Sequence, residues 1–219
     1  WRYRSRTGPA DRSTWTASYA PILQCSWRDL CGGDNCQPFD DGGELGIQVR
    51  GKRQEAMGKN KTPVTPATRM LKQANIEFTP HLYPYEERGG TSVSARELQV
   101  EEHHVIKTLV MEDENGIPLL VLMHGDREVS TKALARAINV KTVSPCSADT
   151  AQKHTGYKVG GTSPFATRKP LPVYMEKTIQ GLQIIYINGG KRGFLVGLSP
   201  QVVIDLLAPA LVDVGIKPS

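Results

Sequence analysis

Apolar and polar positions along the chain fall into two regimes that change near residue 57. Beyond that point the punctuation is regular. Thr65-Pro66 sets an N-cap before a proline at the first helical position and predicts a short helix through Leu71 to Ala74. Residues 76–85 alternate and read as a strand. Ser92 or Ser94 is expected to cap a second helix with Leu98 and Val100 on one face. Residues 105–111 and 117–123, joined around Asn115-Gly116, carry the clearest hairpin signal. Ser130 opens a helix whose Leu134, Ala135 and Ile138 share a face, 140–143 reads as a short strand, and Ser147 opens a helix that stops near Gly156. Strands follow at 171–175, 184–187 and 194–198, with Gly189-Gly190 read as the turn between the last two. Ser199-Pro200 caps a final helix over 202–207. Helices and strands interleave, yet several neighbouring strands are joined by tight turns. The expected class is α+β (mixed α/β), a largely antiparallel sheet with flanking helices and not a doubly wound parallel one.

Residues 1–56 show no sustained period of two or 3.6, and they hold all three Trp and three of the four Cys. So few apolar positions cannot offset the entropy of ordering, so a disordered or non-native extension is expected, with Met57 as the natural start. Cys25, Cys31 and Cys36 are spaced C-x5-C-x4-C, without the paired knuckles of zinc sites and with no His nearby. Residues 57–219 are the size of one ordinary domain and carry a net charge of +4 of the chain's +5. That mild basic balance fits an anionic partner without naming one. No apolar run approaches the ~18 residues of a membrane-spanning helix. Arg2, Arg4 and Arg6 are not followed by the apolar block of a secretory signal, so a cytoplasmic setting with no membrane partner is expected.

Among residues with chemistry, Lys107 stands out because its strand is otherwise apolar apart from Thr108. An ammonium there must be paired, snorkel or lose its proton, and by alternation it shares a face with Val105 and Leu109; an edge-strand lysine reaching solvent is the other reading. Gly160-Gly161-Thr162-Ser163-Pro164 lets backbone N–H groups approach a ligand, although ordinary turns use Gly-Gly too, and it is neither a Walker loop nor a G-x-S-x-G elbow. Gly189-Gly190-Lys191-Arg192-Gly193 and Arg168-Lys169 offer cations to phosphate, or are solvated tips. Cys146 has no partnered His in sequence, His103-His104 read as exposed, and His81, His124 and His154 form no H-x-x-x-H or H-E-x-x-H spacing. No triad, dyad or metal centre is evident, and no cofactor is expected.

Thr65-Pro66-Ala67, Val105-Ile106-Lys107-Thr108-Leu109, the run from Thr155 to Pro164 (T-G-Y-K-V-G-G-T-S-P), and the run from Tyr186 to Gly193 (Y-I-N-G-G-K-R-G) together resemble the YbaK/EbsC family. That family comprises free-standing aminoacyl-tRNA deacylases typified by the bacterial Cys-tRNA(Pro) deacylase, and the likeness runs in order over residues 63–208. It implies a mixed, barrel-like sheet with flanking helices and cleavage of the ester between a mischarged amino acid and the tRNA 3′ adenosine. It also implies catalysis without an enzyme nucleophile, since the substrate's own thiol attacks and the enzyme positions and polarises. By matching position, Lys107 is the essential lysine. Thr108, Gly160, Gly161, Thr162, Ser163, Asn188 and Gly189 border the aminoacyl pocket. Tyr83 is a platform for the terminal adenine, and Arg168, Lys169, Lys191 and Arg192 meet tRNA phosphates. Gly90-Thr91, Asn188 and Leu195 depart from the cysteine-specific pattern and bear on which amino acid is removed. Mischarged tRNA(Pro), cysteine first and alanine second, is the implied substrate, with prolyl-tRNA synthetase as a partner. A deacylase of another mischarged tRNA, a non-catalytic tRNA-binding module and a conventional hydrolase using Ser163 or Cys146 are the rivals.

Overall fold

The computed structural model describes residues 62–218; the readings made on residues 1–56 and on Met57 lie outside the described residues. Local capping chemistry sets most helix starts. Helix α1 (Pro66–Gln73) has the expected Thr65 cap, whose Oγ1 accepts from the Thr68 N–H while the Thr68 hydroxyl accepts from the Thr65 N–H. The Thr65 hydroxyl also donates to the Gly189 carbonyl at 2.6 Å, tying the helix to the sheet. Ser130, Ser147 and Ser199 likewise cap α3 (Thr131–Ala137), α4 (Ala148–Thr155) and α5 (Pro200–Leu207). Helix α2 (Gly90–Leu98) differs from expectation, for its cap is Gly89 and neither Ser92 nor Ser94. Both serines instead bond back to preceding carbonyls, Ser92 to Gly89 and Ser94 to Thr91.

Strands β1 (Thr79–Leu82), β2 (Val105–Asp113), β3 (Pro118–His124), β5 (Val143–Pro145), β6 (Val173–Glu176), β7 (Ile185–Lys191), β8 (Phe194–Leu198) and β9 (Ala210–Val212) form one mixed sheet. Its order is β1-β8-β7-β2-β3-β6-β9, with β5 also on β2; β4 (Glu128–Val129) and β10 (Gly215–Ile216) pair separately. The pairs β1–β8, β8–β7, β2–β3 and β2–β5 are antiparallel, and β7–β2, β3–β6 and β6–β9 are parallel. The mixed, largely antiparallel class is as expected from the tight turns.

Three boundaries moved for local reasons. Strand β1 is shorter than 76–85 because the Ile76 N–H closes α1 on Leu71. Strand β5 starts at Val143 because the Val140 N–H closes α3 on Ala135. Gly189-Gly190 is not a turn but part of β7: the chain reverses at Arg192-Gly193, and the pairing slips from Asn188↔Leu195 to Lys191↔Phe194. The Asn188 side-chain oxygen accepts from the Gly190 and Lys191 N–H groups and holds this bulge, with Gly190 at φ +90.

Apolar side chains fill both sheet faces. One face packs Ile106, Leu122, Met175, Ile187 and Phe194 against α1 and α5; the other packs Met111, Val121 and Met123 against Leu134 of α3. A smaller group, Val105, Ala95 and Leu195, lies under α2 with Tyr83 and Tyr186 at its margin. The buried Glu176 carboxylate accepts from the Val214 and Gly215 N–H groups, both at 2.8 Å, which docks the C-terminal segment and sets up β10.

Candidate active site

Strand β2 is paired with β3 along nearly its whole length, but its other edge is shared. Strand β7 covers only Val105 and Ile106, and β5 covers Met111 to Asp113. Between them four residues, 107–110, have no strand beside them on that edge, a gap of about 13 Å at the usual strand rise. A cavity of about 680 Å³ opens there, bordered by β2 from Val105 to Met111, by Tyr83 and Tyr85, by Gly160 and Thr162, and by Cys146. That volume is several times what a single amino-acid side chain fills.

Lys107 sits on the face shared with Val105 and Leu109, as alternation predicts, and lines the cavity half-buried. Its Nζ donates to the Gly125 carbonyl at 3.1 Å, so the group is partnered within the cavity wall. Burial pulls its pKa down, and the carboxylates of Glu102, Glu128 and Asp126 work against that by favouring the charge. The Thr91 hydroxyl donates its one proton to Glu102 at 2.6 Å and lies 3.2 Å from the Gly125 carbonyl, the alternative acceptor. A Cβ at Gly125 would lie 2.6 Å from the Glu102 carbonyl oxygen and 2.9 Å from the Thr91 Cβ. Gly125→Ala is therefore expected to displace the acceptor of Lys107, destabilise the fold by about 1–3 kcal/mol and cut deacylation more than tenfold. Thermal melts with kinetics on the same preparation check this; an unchanged rate would show that the carbonyl does not set the lysine.

The glycine loop closes the cavity's mouth. Its 157–165 segment is anchored by the buried Tyr157, whose hydroxyl donates to the Phe165 carbonyl at 2.7 Å, and by Phe165 itself, wholly buried. The Asn188 amide donates to the Gly160 carbonyl at 3.3 Å, and the Arg192 guanidinium donates to the Val159 carbonyl at 2.9 Å while lying over the Tyr85 ring at 5.2 Å. Arg192 thus latches three segments round the mouth. Of the residues singled out in the sequence, Lys107, Tyr83, Thr108, Gly160, Thr162, Asn188 and Arg192 border the cavity. Gly161, Ser163, Gly189, Arg168, Lys169 and Lys191 do not. Gly161 backs onto the Lys191–Arg192 peptide, Gly189 faces α1, and Arg168, Lys169 and Lys191 are exposed. Nothing in the spacing of Tyr85, Glu102 and Gly125 marks them, and Thr91 is marked only by its departure from the family pattern; the fold alone brings them to Lys107 and Gly160.

The conventional nucleophiles fare poorly. Ser163 is fully buried and its Oγ accepts from the Phe165 N–H. The Cys146 thiol lies against Glu112 and burial pushes its pKa up to about 12, the opposite of an activated thiol. His103 is half-buried, not exposed as expected; it pairs with Asp126 at 2.9 Å and stacks on His124 at 3.7 Å. His103, His124 and Asp126 lie close enough together to suggest a cation site, a cluster invisible to sequence spacing. The two imidazoles are parallel to within 11°, so their lone pairs do not converge. Both His124 nitrogens are already bonded, to the His103 carbonyl and to Thr178, and burial lowers its pKa.

The family model described as "Aminoacyl-tRNA editing domain" matches residues 87–206, more than half of the chain and the whole of this cavity's β2, loop and β7 walls. The chain belongs to the aminoacyl-tRNA editing domain family. It is accordingly an aminoacyl-tRNA deacylase, and its substrates are mischarged tRNAs. A relative from Enterococcus faecalis, named "Putative Cys-tRNA(Pro)/Cys-tRNA(Cys) deacylase EbsC", is 29% identical over 163 residues, which are 74% of this chain and 99% of that protein. A proline–tRNA ligase from Limosilactobacillus fermentum is 22% identical over 74% of this chain, but the match spans only 29% of the ligase. The fold of the editing domain is shared with a crystal structure described as a "putative trans-editing enzyme for prolyl tRNA synthetase", at a TM-score of 0.62 and 20% identity over 72% of this chain and all of that one. Among the described residues no helix is long and apolar enough to cross a membrane.

Proposed function

We propose that this editing domain clears mischarged tRNA(Pro) in trans, cysteine first, with the substrate's own thiol as nucleophile. The observation that carries this reading is a cavity that holds a paired lysine and offers no activated nucleophile of its own: Ser163 is buried, and the Cys146 thiol stays protonated. In the proposed step the cysteinyl sulfur attacks the ester carbonyl carbon, a C–S bond forms, the C–O bond to the terminal ribose breaks, and the thiol proton passes to the departing ribose oxygen. The strained thiolactone then opens with water. Lys107 stabilises the negative charge that develops on the carbonyl oxygen, and the Gly160 and Thr162 main chain, which borders the same cavity, is the nearest further source of donors. Tyr83 or the neighbouring Tyr85 offers a ring to the terminal adenine. Exposed Arg168, Lys169 and Lys191 are available to phosphates, and prolyl-tRNA synthetase in the cytoplasm is the fitting partner for so modest a positive charge. The relatives named for Cys-tRNA(Pro) and for proline–tRNA ligase support tRNA(Pro) as the carrier.

Leu195 favours a second reading, removal of alanine, because it places an apolar side chain beside Val105 on the cavity face. Release of amino acid from Cys-, Ser-, Ala- and Pro-tRNA(Pro) decides between them. Fast release of cysteine with serine at least about tenfold slower and proline untouched is expected. Equal release of cysteine and serine removes the thiol step, and release of alanine alone selects the second reading. Cys146→Ala is expected to keep releasing cysteine, and its inactivity would restore an enzyme nucleophile.

A further inference from the structure

The unpaired stretch of β2 has a defined hydrogen-bonding phase. The Gly125 N–H donates to the Val105 carbonyl at 2.7 Å and the Asp113 N–H to the Ile117 carbonyl at 3.1 Å, so odd-numbered residues of β2 point their main-chain groups at β3. Even-numbered residues point the other way. Ile106 meets β7, and the Val110 carbonyl accepts from the Cys146 N–H at 3.0 Å. Thr108 lies midway, where no strand stands opposite, and among the described residues no partner for its N–H or C=O appears. Both groups therefore face the cavity that β2 lines from Val105 to Met111. One donor and one acceptor, on one residue, aimed the same way into a cavity, are what an extended residue of a neighbouring strand would pair with.

We infer that the aminoacyl group takes the place of that missing strand residue, its α-ammonium donating to the Thr108 carbonyl and its ester carbonyl accepting from the Thr108 N–H. This rests on the reading that the cavity is the deacylation site. It adds a recognition element, the free α-amine, that is independent of the side chain being removed. Main-chain recognition of the amino-acid core leaves the side chain to be sorted by what lies beyond, toward Met111, Pro145 and Cys146 at the β5 end of the gap. It also places the ester carbonyl one residue along the strand from Lys107. The carboxylates that also border the cavity, Glu86 and Glu87, are the competing partners for an ammonium; Glu86 is already paired with Arg96 at 2.6 Å.

The test compares substrates that differ only at the α-position. Full-length protein is assayed on cysteinyl- and alanyl-tRNA(Pro) and on their desamino counterparts, 3-sulfanylpropionyl- and propionyl-tRNA(Pro), with each rate divided by its uncatalysed rate. The desamino esters are expected to lose about 10- to 100-fold in normalised kcat/KM, the size of one charge-assisted hydrogen bond. The same ratio is expected in Glu86→Gln and Glu87→Gln. A ratio near one overturns the inference while the aminoacyl esters, still cleaved, leave the deacylase reading standing. A ratio that collapses in either glutamine variant gives the ammonium to that carboxylate and overturns it as well. Failure to cleave any of the four esters removes the site reading, and the inference with it.

Discussion

Lys107→Ala is expected to lower kcat/KM for deacylation by about 100- to 1,000-fold, the usual cost of deleting one preorganised group that stabilises an oxyanion. The magnitude follows from placement. The ammonium is half-buried on the cavity wall, held at 3.1 Å by a main-chain carbonyl that cannot swing away, and its charge acts where water is partly excluded. The fold should barely notice the change. Gly125, whose carbonyl loses a donor, lies 3.2 Å from the Thr91 hydroxyl, which can turn its proton from Glu102 to that oxygen, so the buried acceptor has a replacement donor. Melting temperature within a few degrees of the parent, together with the kinetic loss, is the expected pair of results. A variant that kept more than a tenth of the activity would show that positioning alone drives the reaction.

Phe165→Ala should have the largest effect on stability, about 3–5 kcal/mol, because a wholly buried aromatic side chain is removed from the main cluster. For a domain of this size that lowers Tm by roughly 10 °C. The effect also reaches the site. Phe165 is the far anchor of the glycine loop, and its carbonyl and N–H hold the Tyr157 hydroxyl and the Ser163 Oγ. With the ring gone the loop loses its footing at the cavity mouth, so KM should rise more than kcat falls at temperatures where the variant remains folded. Leu134→Ala, equally buried but in the separate cluster under α3 and not on the cavity wall, is the control: comparable destabilisation, unchanged KM. Equal KM changes in both would mean that the loop does not depend on Phe165.

What the sequence disclosed was what short-range chemistry controls. Thr65-Pro66, Ser130, Ser147 and Ser199-Pro200 are caps wherever they sit, because each satisfies N–H groups within its own first turn. The hairpin round Asn115-Gly116 is equally local, its turn closed by the Asp113 carboxylate on the Asn115 and Ile117 N–H groups. Gly89 outranked two serines as a cap because the serines were buried or turned back along their helix, which only the packing of α2 determines. Gly189-Gly190 looked like a turn and is a bulge because Asn188 supplies the acceptor that bends it. Strands β4, β9 and β10 are two or three residues long and carry no period; the buried Glu176 and the strands beside them define them. The site shows the same division. Lys107 was legible as an oddity in an apolar strand, whereas its Gly125 acceptor, the Thr91–Glu102 support and the Tyr85–Arg192 latch are contacts made by folding. Asn188 and Arg192 were read as ligand contacts, and their side chains turn out to be tied to the glycine loop as well.

The gap in β2 also makes activity a report on the completeness of folding. Its hairpin partner β3 lies a few residues away, but the two strands that frame the gap come from 143–145 and 185–187, so each is joined to β2 only after a long loop has closed. Contacts of that sequence separation are the slow ones in a sheet. A chain that has collapsed around the hairpin and stopped there owns Lys107 and Thr108 but no cavity between them and the glycine loop. Ester binding therefore calls for all of these segments in place, so activity reads the assembled sheet edge and not the hairpin alone.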